Sequence, residues 1–183
     1  ADQDYTAALR QAGIDVDALP VKEAVDRITA RRGIAAALLP ALDDWVAVRS
    51  FGKDEAATRR LIDVLHRADL DPWRQQMRDA LVRKDWSALE NLARSPDLER
   101  QPAATLTFLC AGLHTNRHAL SIEVLRRAQW KYPADYWINF RLGINLLYPG
   151  KEDVVEGMGY MRAAAALRPQ SSHPLLILGI GYV

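Results

Sequence analysis

A single cysteine, Cys110, stands among the 183 residues, and one thiol excludes both an intramolecular disulfide and a multi-cysteine zinc site. Between Leu109 and Ala111 in an apolar run, it reads as a buried, inert side chain rather than a nucleophile. Excess charge is missing too: 24 basic residues face 23 acidic ones, a net charge of +1. Proteins that hold nucleic acid by displacing counterions carry a clear basic excess, so nucleic acid is not an expected partner. No uninterrupted apolar stretch approaches the ~20 residues needed to cross a bilayer, and no membrane contact is expected. Nor does any segment sustain a two-residue alternation of apolar and polar side chains, so no sheet is expected.

Constellations with metal or acid–base potential are scarce. His114 and His118 are four apart, a spacing that on one helix can hold a metal. Thr115-Asn116-Arg117 between them reads as a turn, however, and no acidic third ligand follows, so neither metal nor cofactor is expected. Asp43 and Asp44 are adjacent, and neighbouring helical residues point about 100° apart and share a proton poorly. They read as a solvated edge beside a buried Trp45. The pairs Arg59-Arg60 and Arg126-Arg127 likewise read as solvated helix faces rather than phosphate clamps. All five tryptophans read first as core or layer fillers.

What the chain does have is helical periodicity from end to end. With 49% hydrophobic and 26% charged residues, it can bury about 70% of its unfolded surface and needs no covalent staple. A first helix spans Tyr5 to Gly13, and a second runs from Pro20 to about Arg32, closed by Gly33. Leu38, Leu42, Trp45 and Val46 share a face that Pro40 interrupts, which predicts a kink or a late start. Glu55 to Ala68 is amphipathic, with Leu61, Val64, Leu65 and Ala68 as its stripe. Asp71-Pro72-Trp73 and Asp85 mark the next two starts, by aspartate capping and by proline in the first turn. Pro102 opens a helix to about Leu113. Further helices cover about His118 to Lys131, Asp135 to Leu147, Glu152 to Leu167, and a last one from near Pro174.

The C-terminal half repeats itself at an offset of 36: Ser121 pairs with Gly157, Ala128 with Ala164, Pro133 with Pro169, Leu142-Gly143 with Leu178-Gly179 and Leu146 with Tyr182. Small residues suit close helix crossings, proline suits a stop, and large apolar residues fill the layer between. Such a period signals stacked supersecondary units. Gly143 and Gly157 are expected at the closest crossing, and the same packing is expected to explain Gly179.

Counted from Tyr136, this pattern resembles tetratricopeptide repeats, whose unit is a 34-residue helix–turn–helix. Leu142-Gly143 falls on the family's Leu-Gly pair and Leu146 on its next large residue. Gly157, Met161, Ala164 and Pro169 fall on the small, large, small and proline positions of the second helix. Pro149-Gly150-Lys151 supplies the two extra turn residues, and Asn139 departs from the tryptophan or leucine the family prefers. The N-terminal half, with Ala12-Gly13-Ile14-Asp15-Val16-Asp17-Ala18-Leu19, Ala41-Leu42-Asp43-Asp44-Trp45 and Asp71-Pro72-Trp73-Arg74, together with Tyr136-Trp137-Ile138-Asn139-Phe140, resembles the helical region after the kinase domain of planctomycete-type bacterial serine/threonine kinases.

These resemblances imply an all-α fold, a right-handed superhelix of stacked helical hairpins. Residues 1–100 would form a helical repeat-like region, and residues 101–183 tetratricopeptide-like repeats with a truncated last unit. They imply a regulatory or interaction segment of a longer kinase polypeptide, binding a protein or peptide or acting on its own kinase domain, through docking or dimerisation. In the family the groove is lined from first helices, which nominates Trp137, Phe140, Ile144 and His173; the alternative is a purely structural role in helix packing. Self-association through the C-terminal helix is also expected, and the cytoplasm is the working expectation for location. The segment itself is expected to be no enzyme. In His66-Arg67-Ala68-Asp69 an alanine splits the Arg-Asp pair of a kinase catalytic loop, Ser50-Phe51-Gly52 lacks the metal-binding aspartate, and Gly179-Ile180-Gly181 is too short for a phosphate loop.

Overall fold

The computed structural model describes residues 2–31, 33–51, 54–113, 117–148 and 153–180, with the side chains of 35, 36, 47, 50, 51 and 180 excepted. Among them lie eleven α-helices, one 3₁₀ turn and no strand, so the all-α class holds. The chain divides into two compact units, Ala1–Arg83 and Lys84–Val183.

The first unit holds α1 (Asp2–Gln11), α2 (Val21–Thr29), α3 (Ala35–Phe51), α4 (Glu55–Ala68) and α5 (Pro72–Arg83). Gly13, at φ 75°, ends α1. The Ile14 N–H reaches Leu9 O at 2.7 Å and the Gly13 N–H reaches Arg10 O at 2.8 Å, while Leu9 and Ile14 are both buried. That double bond with its apolar contact needs a left-handed residue, hence glycine. The second helix stops at Thr29, short of the expected Arg32, with Ala30 as its cap. Pro40 does not delay α3, which starts at Ala35 and contains it. So near the start of a helix, proline costs one backbone hydrogen bond and the helix absorbs it. Ala24 and Ile28 of α2, Leu42, Trp45 and Val46 of α3, and Leu61, Val64 and Leu65 of α4 make the core, joined by Trp73, Met77 and Ala80 of α5.

Arg49 is buried in this unit with its guanidinium 3.8 Å from the Trp45 ring centroid. It donates to Asp17 at 2.7 and 2.8 Å and to Asp2 at 3.0 Å. Trp45 Nε1–H reaches the same Asp2 at 2.6 Å, and the Tyr5 ring stacks on Trp45 at 5.8 Å. Aromatic faces and paired carboxylates together offset the cost of burying that cation. Arg60, expected on a solvated face, is half-buried and donates to Val16 O at 2.7 Å and to Leu19 O. Arg59 is exposed, as expected.

The second unit holds α6 (Trp86–Arg94), the 3₁₀ turn Pro96–Arg100, α7 (Ala103–Leu113), α8 (His118–Lys131), α9 (Tyr136–Leu147), α10 (Val154–Leu167) and α11 (Ser172–Ile180). Aspartate caps recur: Asp54, Asp85, Asp135 and Asp153 each accept the N–H three residues on, at 2.9 to 3.0 Å. Each such cap contributes about 1 kcal/mol.

The 36-residue repeat is visible as packing. At Gly143 a Cβ would lie 3.1 Å from Gly157 O and 2.7 Å from Met161 Cε; at Gly157 it would lie 2.9 Å from Leu147 Cγ and 3.1 Å from Leu146 Cβ. Going back along α9 from Leu147 to Gly143 goes forward along α10 from Gly157 to Met161, so the pair is antiparallel. One repeat earlier, Ser121 Oγ–H donates to Cys110 O at 3.3 Å across α7 and α8. Leu125, Met161, Ala128 and Ala164 are all buried as the repeat requires. Gly179 breaks the parallel: nothing lies within 4 Å of a Cβ placed there, so packing does not account for it. The turn Pro149-Gly150-Lys151 lies outside the described residues.

Candidate docking pocket

Three segments of the second unit converge at one end of α9. Asp135 caps the helix, which places Tyr136 and Trp137 in its first turn and Phe140 in the next. Arg168 follows α10, and its N–H still bonds Ala164 O at 3.0 Å; Ser171 closes the turn by donating from its N–H to Arg168 O at 3.0 Å. His173 lies in the first turn of α11. Together Tyr136, Trp137, Phe140, Arg168, Ser171 and His173 line an open hollow of about 300 Å³.

The rings hold one another in place. Tyr136 and Phe140 stack at 5.7 Å and 8°, while Trp137 meets Tyr136 edge-on at 4.9 Å and Phe140 at 6.1 Å. His173 approaches Phe140 edge-on at 6.5 Å. The hydroxyls of Tyr136 and Ser171 are hydrogen-bonded at 2.9 Å, which pins the back wall. Arg168 lays its guanidinium carbon 4.5 Å from the Tyr136 centroid and 5.6 Å from that of Trp137. Trp137 remains 47% exposed.

Of the four nominated residues, Trp137, Phe140 and His173 line this hollow. Ile144 does not; it packs on the cluster of Leu147, Met158 and Met161, where Phe140, Ile177 and Leu178 also rest. Sequence reasoning passed over Tyr136, Arg168 and Ser171 as site residues. Arg168 and Ser171 flank the Pro169 stop and read as linker, so only chain closure reveals them. Asn139 is buried at the position where the family prefers a large apolar side chain, and its amide donates to Pro133 O at 2.9 Å and Asp135 O at 2.8 Å. It thus ties the start of α9 to the preceding turn.

The expectation of a solvated Asp43-Asp44 edge is wrong for Asp43. Its carboxylate is fully buried and takes Arg78 Nε–H at 2.6 Å and Nη2–H at 3.1 Å. Arg78 Nη2 also reaches Asp69 at 2.6 Å, and Arg74 clasps Asp69 with two bonds of 2.6 Å. Asp44 is exposed and accepts from Tyr5 Oη at 2.6 Å. The expectation of tryptophan fillers fails for Trp130, 87% exposed on α8. His66 is half-buried and pairs with Asp79 at 3.0 Å. Cys110 is buried, and burial pushes its thiol up to about 12, an unreactive value at neutral pH. His118 is in α8 and His114 lies outside the described residues, as do Gly52 and Gly181. Among the described residues no three His, Cys, Asp or Glu side chains are placed to hold a metal, and no helix is long and apolar enough to cross a membrane.

Comparison of the chain with known protein families, with curated proteins and with solved structures finds no match.

Proposed function

We propose that the unit Lys84–Val183 is a docking module for a protein or peptide segment, with the pocket around Trp137 and Phe140 as its anchor point. One observation carries this reading: four aromatic or imidazole rings surround an open hollow of about 300 Å³. Aromatic side chains give large contact area at low rotamer cost, and mostly apolar pockets with a few convergent polar groups are the usual form of a binding site. The role is that of a scaffold without catalytic chemistry of its own. Helices α7 to α11 are read as hairpins of a right-handed tetratricopeptide-like superhelix, supported by the small residues at both helix crossings. The kinase-region resemblance nominates one partner, a kinase domain of the same polypeptide, whose phosphorylation rate should change when this chain is added in trans.

The test compares affinity capture by the native chain with capture by Trp137→Ser and by Trp130→Ser, which removes an equally bulky exposed ring outside the pocket. Docking at the pocket predicts at least one species lost with Trp137→Ser and retained with Trp130→Ser. Identical recovery by all three proteins would refute it.

A further inference from the structure

We infer that the pocket selects an acidic segment: a bulky apolar side chain seated on Phe140 and Trp137, with a neighbouring aspartate or glutamate carboxylate taken by Arg168. This deepens the docking reading above and rests on it. Arg168 is an exposed cation whose guanidinium carbon lies over the Tyr136 and Trp137 rings, at 4.5 and 5.6 Å from their centroids. Contact with a ring face uses none of the guanidinium N–H donors, which keep the fork that matches a carboxylate. Among the described residues no carboxylate pairs with it, whereas Arg94, Arg100, Arg117, Arg126 and Arg127 of the same unit each hold an ion pair with Glu90, Asp97, Glu156 or Glu99.

The surroundings favour the same sign. From Gly157 to Val183 the sequence carries Arg162 and Arg168 and no aspartate or glutamate. On α9 the charged side chain is Arg141. Asp135, next to Tyr136, is committed to the helix cap, accepting the Ile138 N–H at 2.9 Å. Ser171 and His173 add polar groups to the pocket lining. A cationic occupant would have to displace Arg168 from the rings with no carboxylate to compensate its own charge; an anionic one completes the charge that Arg168 leaves open. Contact with two rings already restricts the guanidinium, so it has less freedom to lose on binding, which favours affinity.

A library of random octapeptides, acetylated and amidated so that side chains alone carry charge, is selected on the immobilised full chain. The inference expects Asp or Glu enriched beside an aromatic or branched apolar residue. With Arg168→Gln the apolar preference should persist and the acidic preference vanish, and the best peptide should bind about tenfold more weakly by fluorescence anisotropy, the scale of one charge-assisted pair. Apolar peptides selected without acidic neighbours, or lysine- and arginine-rich ones, would overturn this inference and leave docking intact. No enrichment over a Phe140→Ser/Trp137→Ser chain that keeps its helical circular dichroism would overturn both.

Discussion

Arg78 is fully buried between Asp43 and Asp69, and one of its nitrogens, Nη1, has no hydrogen-bond partner. Replacing it with methionine nearly keeps volume but strands the buried carboxylate of Asp43, while Asp69 keeps Arg74; removing one partner of a buried ion pair costs about 3–5 kcal/mol. A urea midpoint for Arg78→Met within error of the native one would contradict the cluster. Its two acids titrate in opposite directions. Burial works to raise Asp69, but hydrogen bonds from Arg74 and Arg78 outweigh it and hold the group below its usual 3.8. Its stabilisation is therefore complete above 3.8 and is lost as pH falls through the lowered folded value. Burial raises Asp43 above 3.8, and Arg78 offsets this only in part; its contribution is complete below 3.8 and lost as pH rises through the raised value. Asp69→Asn should accordingly flatten the acid limb of stability below about pH 4. Asp43→Asn should flatten the opposite slope above about pH 4. Urea midpoints taken from about pH 3 upward would check both signs. None of this cluster is legible locally, because Asp43 and Arg78 are 35 residues apart and a helical Asp-Asp pair looks like surface until its partner closes over it.

Elements α9 and α10 show the other extreme, where spacing alone revealed the contact. Gly143 and Gly157 fall on small positions of the 36-residue repeat, and each backbone comes so near the other that a Cβ would sit 3.1 or 3.2 Å from the facing carbonyl. Gly157→Leu should overpack this crossing and destabilise by about 1–3 kcal/mol. Gly159, in the same helix, has nothing within 4 Å, so Gly159→Ala should stabilise by up to about 1 kcal/mol through helix propensity. The two signs, read from denaturation midpoints, separate close approach from mere glycine content. In α11 the repeat runs past its packing: Ile177 and Leu178 reach the Met161 cluster, yet Leu175 and Leu176 are 54% and 62% exposed. Exposed paired leucines favour association. Sedimentation should show concentration-dependent association that Leu175→Lys/Leu176→Lys removes; identical sedimentation of the two proteins would rule out α11 as the contact.

At the scale of the whole chain, each unit has its own core and its own polar ties. Ala1–Arg83 is held by the Arg49 and Arg78 clusters around Trp45 and Leu65. Lys84–Val183 is held by the helix crossings at Ser121 and Gly157 and by ion pairs such as Arg126–Glu156 and Arg127–Glu99. The break falls at Lys84, a non-glycine residue with φ 55°, just before the Asp85 cap. That boundary was hidden in the sequence, because the repeat match began near Pro102 while α6 and the 3₁₀ turn pack with the later helices without sharing their motif. The pocket was half legible for a similar reason: helix position nominated Trp137 and Phe140, whereas Arg168 belongs to it only through the turn that brings α11 back. A unit of this length can bury enough surface to fold independently. The fragment Lys84–Val183 should therefore melt cooperatively and keep native helical circular dichroism. A fragment that is unfolded alone and recovers its structure only when Ala1–Arg83 is added would show that the two units fold as one.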